Sequence, residues 1–264
     1  MIVHGPTHED NAIRVVLVGG IDPGTGAGVA RDLLTADSLG ARAILIGTAW
    51  TEQGQVHAIE ARAPERVRIA LRAGLERTGA AGVAVKIGMV ANAPIAKAIL
   101  AALEGFAGPV VYDPVLRASS GGSLYDGNRE SVLALAARAT LLTPNLDEAA
   151  WLLDGQGPST IRTEAQARTA ARALRDLGVP AILVKGGHLE GDATDVLLSP
   201  AGESLFCGPR IAGPSPRGTG CSLATAIAVE LASGESLERA VARAKTWLTK
   251  RIANAVTVGG ERYL

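Results

Sequence analysis

The chain has 264 residues, 47% of them hydrophobic, with 26 basic and 26 acidic side chains. A chain of this length and composition can bury a large core without disulfides or bound metal, which excludes a small disulfide-stapled fold. The balanced charge gives no long-range attraction to phosphate backbones or anionic lipids, so we expect no nucleic-acid partner.

Residues 1–12 are polar and lack the apolar run of a secretory signal, and no later apolar run is long enough to span a membrane. The two cysteines cannot make a disulfide framework, and a reducing compartment would keep both as thiols. We therefore expect no membrane association, a cytoplasmic protein, a flexible segment over 1–12 and a single domain over 13–264.

In chain order, six short apolar runs are typical of buried strands, and Ala- and Leu-rich segments of helical length follow most of them. The runs cover 14–18, 43–47, 82–87, 109–112, 140–143 and 180–185. This alternation predicts an α/β fold with a doubly wound, mostly parallel sheet flanked by helices.

The second half of the chain adds a capped helix and a hairpin. Thr163 with Gln166 forms a capping box that begins a helix, and Gly178 ends it. Segments 195–198 and 204–206 predict an antiparallel hairpin at an edge of the sheet.

Two long helices, over about 222–232 and 236–255, are predicted to finish the chain. In open sheets of this kind, ligands bind beyond the carboxyl ends of the strands. We therefore expect a functional site in the loops that follow the strands.

The strongest signal for function is the turn Gly218-Thr219-Gly220-Cys221, which runs directly into an Ala-rich helix. Its glycines permit close backbone approach, and exposed amides with the helix dipole favour an anion. Cys221 is placed to take a proton from an attacking hydroxyl. Because a helix N-terminus lowers a thiol pKa, we expect a thiolate base near neutral pH. The alternative is a tight glycine turn with a small buried cysteine.

A second glycine loop, over 18–28, contains five glycines and Asp22. It is not a Walker loop, since it has no Lys-Ser or Lys-Thr pair, and Val29 stands where the dinucleotide fingerprint needs its third glycine. Asp22 is a candidate to hydrogen-bond a substrate hydroxyl or amine. The alternative is a structural acid beside the turn residue Pro23.

Polar residues also follow three of the later predicted strands. Asp113 and Glu148 are suited to hold Mg²⁺, directly or through water, and Lys185 to meet a nucleotide phosphate. The ordinary alternatives are Asn145 as a helix N-cap and Lys185 as the surface end of a strand. Because these residues share the expected ligand edge of one sheet, together they favour a site.

Six segments in order carry a resemblance to a known family: Gly-Gly-Ile-Asp-Pro-Gly-Thr-Gly-Ala-Gly (19 to 28), Lys-Ile-Gly-Met (86 to 89), Asp-Pro-Val-Leu (113 to 116), Thr-Pro-Asn-Leu-Asp-Glu-Ala (143 to 149), Lys-Gly-Gly-His (185 to 188) and Gly-Thr-Gly-Cys (218 to 221). The chain resembles the hydroxymethylpyrimidine/phosphomethylpyrimidine kinases of thiamine biosynthesis, which have the ribokinase-like fold. The resemblance implies phosphorylation of 4-amino-5-hydroxymethyl-2-methylpyrimidine and then of its monophosphate, with ATP and Mg²⁺. It also implies a homodimer.

The resemblance further implies roles for single residues. Cys221 replaces the aspartate base of sugar-kinase relatives, with Lys185 also catalytic and the amides of Gly218, Thr219 and Gly220 forming an anion hole. The implied substrate contacts are Gly20, Asp22, Gly26, Gln53 and Met89. The implied nucleotide contacts are Asn145, Lys185, Gly187 and Arg217, and the implied metal ligands are Asp113 and Glu148. Gln53 carries an amide that can pair with an aminopyrimidine edge.

The chain departs from the family pattern at three places. Ser215-Pro216-Arg217 replaces His and Thr residues before the glycine turn, Ser119-Ser120-Gly121 replaces Lys-Ser-Gly, and residues 258–264 lack a His-Gly-His. Arg217 can supply cationic charge to a phosphate. The altered positions bear on the second phosphorylation, which must accommodate a substrate phosphate.

Two alternatives to the pyrimidine kinase stay open. A pyridoxal kinase of vitamin B6 salvage also acts on a flat heteroaromatic hydroxymethyl compound, although Gln53 favours the aminopyrimidine. A ligand-binding homologue with weakened catalysis would explain the altered positions. A sugar or nucleoside kinase is disfavoured, since Cys221 stands where those enzymes need a carboxylate. A Ser- and Gly-rich segment over about 117–126 is a candidate lid that excludes water.

Overall fold

The computed structural model describes residues 13–24, 26–51, 59–79, 82–118, 121–155 and 159–264. The predicted flexible segment over 1–12 and the predicted substrate contact Gln53 lie outside these described residues. The helices are α1 (Gly28–Ser38), α2 (Pro64–Thr78), α3 (Ala93–Ala102), α4 (Arg129–Arg138), α5 (Leu146–Asp154), α6 (Glu164–Asp176), α7 (Thr219–Ala232) and α8 (Leu237–Ala253).

The strands of the main sheet are β1 (Arg14–Ile21), β2 (Arg42–Thr51), β3 (Ile59–Ala61), β4 (Val83–Ile87), β6 (Val110–Tyr112), β8 (Leu141–Leu142), β9 (Ile182–Val184), β10 (Asp195–Ser199) and β11 (Gly202–Phe206). Two small pairs add β5 (Ala91–Asn92) with β7 (Tyr125–Asp126), and β12 (Val256–Val258) with β13 (Glu261–Tyr263). The main sheet has the order β11-β10-β9-β8-β6-β4-β1-β2-β3.

The six apolar runs of the sequence are the six parallel strands, so the predicted doubly wound, mostly parallel sheet is confirmed. The predicted hairpin is β10–β11, which pairs antiparallel with β9 and forms one edge. At the opposite edge, β3 pairs antiparallel with β2. No helix within the described ranges is long and apolar enough to cross a membrane.

The core lies on both faces of the sheet, since neighbouring side chains of a strand point to opposite sides. On β1, Val16 and Val18 face α2 to α6, whereas Val15 and Leu17 face α1, α7 and α8. Each such fully buried side chain contributes about 1.5–3 kcal/mol relative to an exposed one. Helix α7 is apolar around most of its surface because it packs on the sheet and between its two neighbouring helices.

The predicted capping box of α6 is confirmed. The Gln166 amide donates to Thr163 Oγ1 at 3.3 Å, and Gln166 Oε1 accepts from the Thr163 amide at 3.1 Å. Gly178 follows the helix with a φ of 92°.

The prediction that two helices finish the chain is wrong, because α8 ends at Ala253 and the hairpin β12–β13 follows it. Gly259 and Gly260 have φ values of 59° and 86°, as a tight two-residue hairpin turn requires. The alternating Val-Thr-Val before these glycines was the available sequence signal.

Candidate active site

The glycine loop after β1 is organised by Asp22, which is 2% exposed. Its Oδ1 accepts a hydrogen bond from the Gly24 amide at 3.0 Å, and its Oδ2 accepts one from the Ala27 amide at 3.1 Å. Gly28 then begins α1 at a φ of 63°, where a Cβ would lie 2.3 Å from Gly20 O. These bonds give Asp22 the structural role that the sequence offered as the alternative, and Asp22 also lines a cavity at this edge of the sheet.

The second glycine turn meets the first one. Gly218 is the N-cap of α7 with a φ of 77°, and a Cβ there would lie 2.5 Å from Gly26 O. Only glycine therefore allows this backbone approach. The first-turn amides of α7, which have no partner within the helix, and the positive end of its dipole thus lie at the carboxyl edge of the central strands.

Gly220, in the first turn of α7, faces a pair of charged side chains. Its Cβ position lies 3.1 Å from Lys185 Nζ and 3.8 Å from Asp113 Oδ2. Lys185 Nζ donates to Asp113 Oδ1 at 2.6 Å and lies 3.9 Å from Glu148 Oε2. Thr143 Oγ1 donates to the same Asp113 oxygen at 3.2 Å. The structure thus brings the residues after β6, β8 and β9 to the start of α7.

Asn145 and Glu148 form the capping box of α5, so the N-cap alternative for Asn145 is correct as a description of its contacts. Asn145 Oδ1 accepts from the Glu148 amide at 2.8 Å, and Glu148 Oε2 accepts from the Asn145 amide at 2.7 Å. Burial raises the pKa of Glu148 to about 7; Lys185 lowers it and Asp113 raises it. The carboxyl group therefore titrates near neutral pH.

A buried ion pair that sequence reasoning did not assign lies beside Cys221. Lys86 Nζ and Asp32 Oδ2 are 2.7 Å apart, with side-chain exposures of 1% and 0%, and Thr225 Oγ1 donates to the other carboxylate oxygen at 2.8 Å. Lys86, Asp32 and Cys221 line the same cavity. A lysine inside the apolar run 82–87 was the signal that could have revealed this pair.

The expected thiolate at Cys221 is wrong for the free protein. Burial raises the pKa of this thiol to about 12. The nearby ammonium groups of Lys86 and Lys185 lower the pKa, whereas the carboxylates of Asp32 and Asp113 raise it, and burial outweighs the attraction. Cys221 therefore carries its proton at neutral pH.

Of the other predicted substrate contacts that the structure describes, Gly20 and Met89 line the cavity. Gly26 is not among the residues that line it and lies against Gly218 and Arg217 instead. A Cβ at Gly20 would lie 2.6 Å from Met89 Sδ, so the methionine side chain packs directly on the end of β1. Leu124, from the candidate lid segment, lines the same cavity. The lid itself stays a prediction.

Two predicted nucleotide contacts, Gly187 and Arg217, also lie in loops at the carboxyl edge of the sheet. Gly187 follows β9, and its carbonyl accepts from Arg210 Nη1 at 2.8 Å. Arg217 directly precedes the N-cap of α7, and its guanidinium packs on Gly26. Arg217 also contacts the C-terminal hairpin through a backbone bridge to Tyr263.

A mostly parallel sheet, a glycine-bounded helix N-terminus at its carboxyl edge and a Lys–Asp pair beside that terminus define the class of ATP-dependent kinases with the ribokinase-like fold. The family model of phosphomethylpyrimidine kinase matches residues 22–263. The chain belongs to this phosphomethylpyrimidine kinase family.

Among curated relatives, the hydroxymethylpyrimidine/phosphomethylpyrimidine kinase of Streptomyces coelicolor is 37% identical, over 97% of this chain and 94% of its own length. The crystal structure of phosphomethylpyrimidine kinase from Clostridium difficile has a TM-score of 0.75 and 29% identity, covering 91% of this chain and 99% of that one. An ADP complex of Bacillus subtilis pyridoxal kinase has a TM-score of 0.83 and 25% identity, covering 96% and 97%.

Proposed function

We propose that this enzyme transfers the γ-phosphoryl group of ATP to the hydroxymethyl oxygen of 4-amino-5-hydroxymethyl-2-methylpyrimidine, and then a second one to the phosphate of that product, in thiamine biosynthesis. In the first step, the hydroxymethyl oxygen forms a bond to the γ-phosphorus, the bond from the γ-phosphorus to the bridging oxygen breaks, ADP leaves and the hydroxyl proton is released to solvent. The observation that carries the proposal is the start of α7, where Gly220 faces Lys185 and Asp113.

The anion hole is proposed to be the amides of Gly218, Thr219 and Gly220. Amides fixed at a helix N-terminus stabilise negative charge on a phosphoryl group without reorganising during the reaction. Lys185, held at 2.6 Å by Asp113, adds a positive charge beside this turn. Asn145 and Gly187 are proposed to contact the nucleotide at the neighbouring strand ends.

Asp113 and Glu148 are proposed to hold Mg²⁺, which would neutralise phosphate charge when bound with ATP. Both are hard oxygen ligands close to Lys185 Nζ, at 2.6 and 3.9 Å. Within the described part of the chain, no cluster of three or more potential ligand side chains occurs. A pair of carboxylates fits Mg²⁺, which commonly takes one or two carboxylates and keeps phosphate oxygens and waters.

Cys221 is proposed to orient the substrate hydroxyl as a neutral thiol. The transition state of phosphoryl transfer is loose in most analyses, so positioning contributes more than strong general-base catalysis. The substrate ring is proposed to contact Gly20, Asp22, Gly26, Gln53 and Met89.

The test is phosphate transfer from MgATP with the pyrimidine alcohol, its monophosphate and pyridoxal supplied separately, followed by mass spectrometry. The proposal requires mono- and then diphosphorylated pyrimidine. Pyridoxal phosphate as the single product would instead assign the enzyme to vitamin B6 salvage, and no product from any of the three would favour the ligand-binding homologue.

Two variants examine the role of Cys221. If the thiol orients the hydroxyl, Cys221→Ser should keep more activity than Cys221→Ala, because the serine hydroxyl makes similar hydrogen bonds. If a thiolate is the base, both variants should lose activity alike. Thermal unfolding of each variant checks that the fold is intact.

We further propose a homodimer, a cytoplasmic location and a single kinase domain over 13–264. The dimer is proposed from the family resemblance, and the exposed apolar side chains of Leu34 (50%) and Trp50 (56%) are positions at which to test it. Both cysteines are free thiols, in keeping with a reducing compartment. Light scattering of the purified enzyme, cell fractionation and limited proteolysis test these three points in turn.

A further inference from the structure

The C-terminal hairpin reaches the start of α7. The Arg217 amide donates to Arg262 O at 3.1 Å, and Arg217 forms a parallel bridge with Tyr263. The last strand, β13, therefore lies beside the residue that precedes the N-cap of α7. The hairpin is thus next to the proposed anion hole.

The Arg217 guanidinium lies between two carboxylates. Its Nη1 is 3.0 Å from Glu261 Oε2 on β13, and its Nη2 is 3.7 Å from Asp22 Oδ2. The guanidinium also packs on the glycine loop, with Nε 3.3 Å and Cζ 3.4 Å from the Cβ position of Gly26. One face of Arg217 therefore meets the proposed substrate loop, and Glu261 holds it from the side of the hairpin. This position favours a contact to the substrate over the nucleotide contact that the resemblance implied.

Glu261 is an anion held by two donors. Its Oε2 accepts from Arg217 and, at 2.9 Å, from the Tyr263 hydroxyl. Hydrogen bonds from Arg217 and then Tyr263 lower the pKa of Glu261, so it is ionised at neutral pH. Its side chain is 52% exposed and that of Arg217 is 25% exposed, so both can exchange partners without unfolding the core.

We propose that Glu261 is a specificity-determining residue, whose carboxylate occupies the anion position at Arg217 that the phosphate of the monophosphate substrate takes in the second phosphorylation. This inference rests on the proposed function. A guanidinium donates to carboxylates and phosphates through the same N–H groups, and Glu261 already accepts from Nη1 of Arg217, so the two anions compete. The alcohol substrate has no anion and leaves the Arg217–Glu261 pair in place.

Glu261 is expected to have a small effect on the affinity for the monophosphate. Exposed ion pairs contribute little to stability, so displacing Glu261 should weaken binding of the monophosphate by about two- to fivefold. Losing the guanidinium itself removes charge-assisted hydrogen bonds to the phosphate, and should weaken its binding about tenfold or more. Glu261 therefore lowers the efficiency of the second phosphorylation relative to the first, whereas Arg217 binds the substrate phosphate that the second phosphorylation requires.

The experiment measures kcat/KM for the alcohol and for the monophosphate, each with MgATP, in the wild type and in Glu261→Gln. The matched control is Glu65→Gln, which removes a similar exposed carboxylate, paired with Arg68 at 2.6 Å on α2. We expect kcat/KM for the monophosphate, divided by kcat/KM for the alcohol, to rise about two- to fivefold in Glu261→Gln. The same ratio should stay unchanged in the control.

Repeating Glu261→Gln in an Arg217→Met background distinguishes loss of the Arg217–Glu261 ion pair from a general effect of removing a negative charge. In that background the kcat/KM ratio of monophosphate to alcohol should be lower than in the wild type. Glu261→Gln should not raise it, because Arg217, for which the carboxylate and the phosphate compete, is absent. The inference is overturned if Glu261→Gln leaves this ratio unchanged or lowers it in the wild-type background. It is also overturned if Glu261→Gln raises the ratio by the same factor in the Arg217→Met background. The proposed function fails separately, if the wild type phosphorylates neither pyrimidine.

Discussion

The protonation state of Cys221 gives the sharpest test of how the site works. At pH 8, a thiol with a pKa of about 12 is about one part in ten thousand thiolate, whereas an ordinary cysteine is about one quarter thiolate. Since the thiolate is the reactive form, alkylation of Cys221 in the folded protein should be about two thousandfold slower than in the unfolded chain.

The assay uses iodoacetamide and mass spectrometry on a Cys207→Ser variant, which leaves one thiol. The rate should rise about tenfold per pH unit across pH 7 to 10 in the folded protein, with no plateau, as expected for a thiol whose pKa lies near 12. The same chain in denaturant should level off above about pH 9 and serves as the control. Because limited access also slows the reaction of this half-buried thiol, the shape of the pH profile decides the result, not the absolute rate.

Two opposing influences set the direction of the pKa shift of Cys221. Burial favours the neutral thiol, and the ammonium groups of Lys86 and Lys185 favour the thiolate. A plateau below about pH 8.5 would mean that the helix N-terminus and the two lysines outweigh burial, and Cys221 would then be a thiolate base. If burial keeps Cys221 protonated, kcat/KM should show no rise from thiol ionisation between pH 6 and 9.

Two further predictions concern the scaffold of the site. Lys86→Met should lower the free energy of unfolding by about 3–5 kcal/mol in urea denaturation, because it leaves the Asp32 carboxyl group buried without its cation, and burial already raises the pKa of that group. Adding Asp32→Asn should restore part of the loss, and a cost under about 1 kcal/mol would contradict the assignment. Gly28→Ala should lower the thermal midpoint far more than Gly40→Ala, since both positions have positive φ but only the first places a Cβ 2.3 Å from Gly20 O.

The charged residues at the strand ends could be predicted one by one from the sequence, but the contacts between them could not. Asp113, Glu148 and Lys185 stood out because polar residues at the ends of apolar strands share one sheet edge. That Lys185 bonds Asp113 directly, and that Glu148 closes a capping box with Asn145, depends on side-chain geometry across strands. Only the packed sheet sets those distances.

Local sequence pattern was enough to predict the architecture and to locate both glycine turns, since apolar runs of strand length alternating with helices allow few arrangements other than a doubly wound sheet. Contacts between distant segments could not be predicted in this way. Burial reversed the expected pKa shift of Cys221, and folding brought Lys86 to Asp32 and Glu261 to Arg217. The two ion pairs join residues that are 54 and 44 positions apart, because desolvation and charge pairing depend on distance in space and not along the chain.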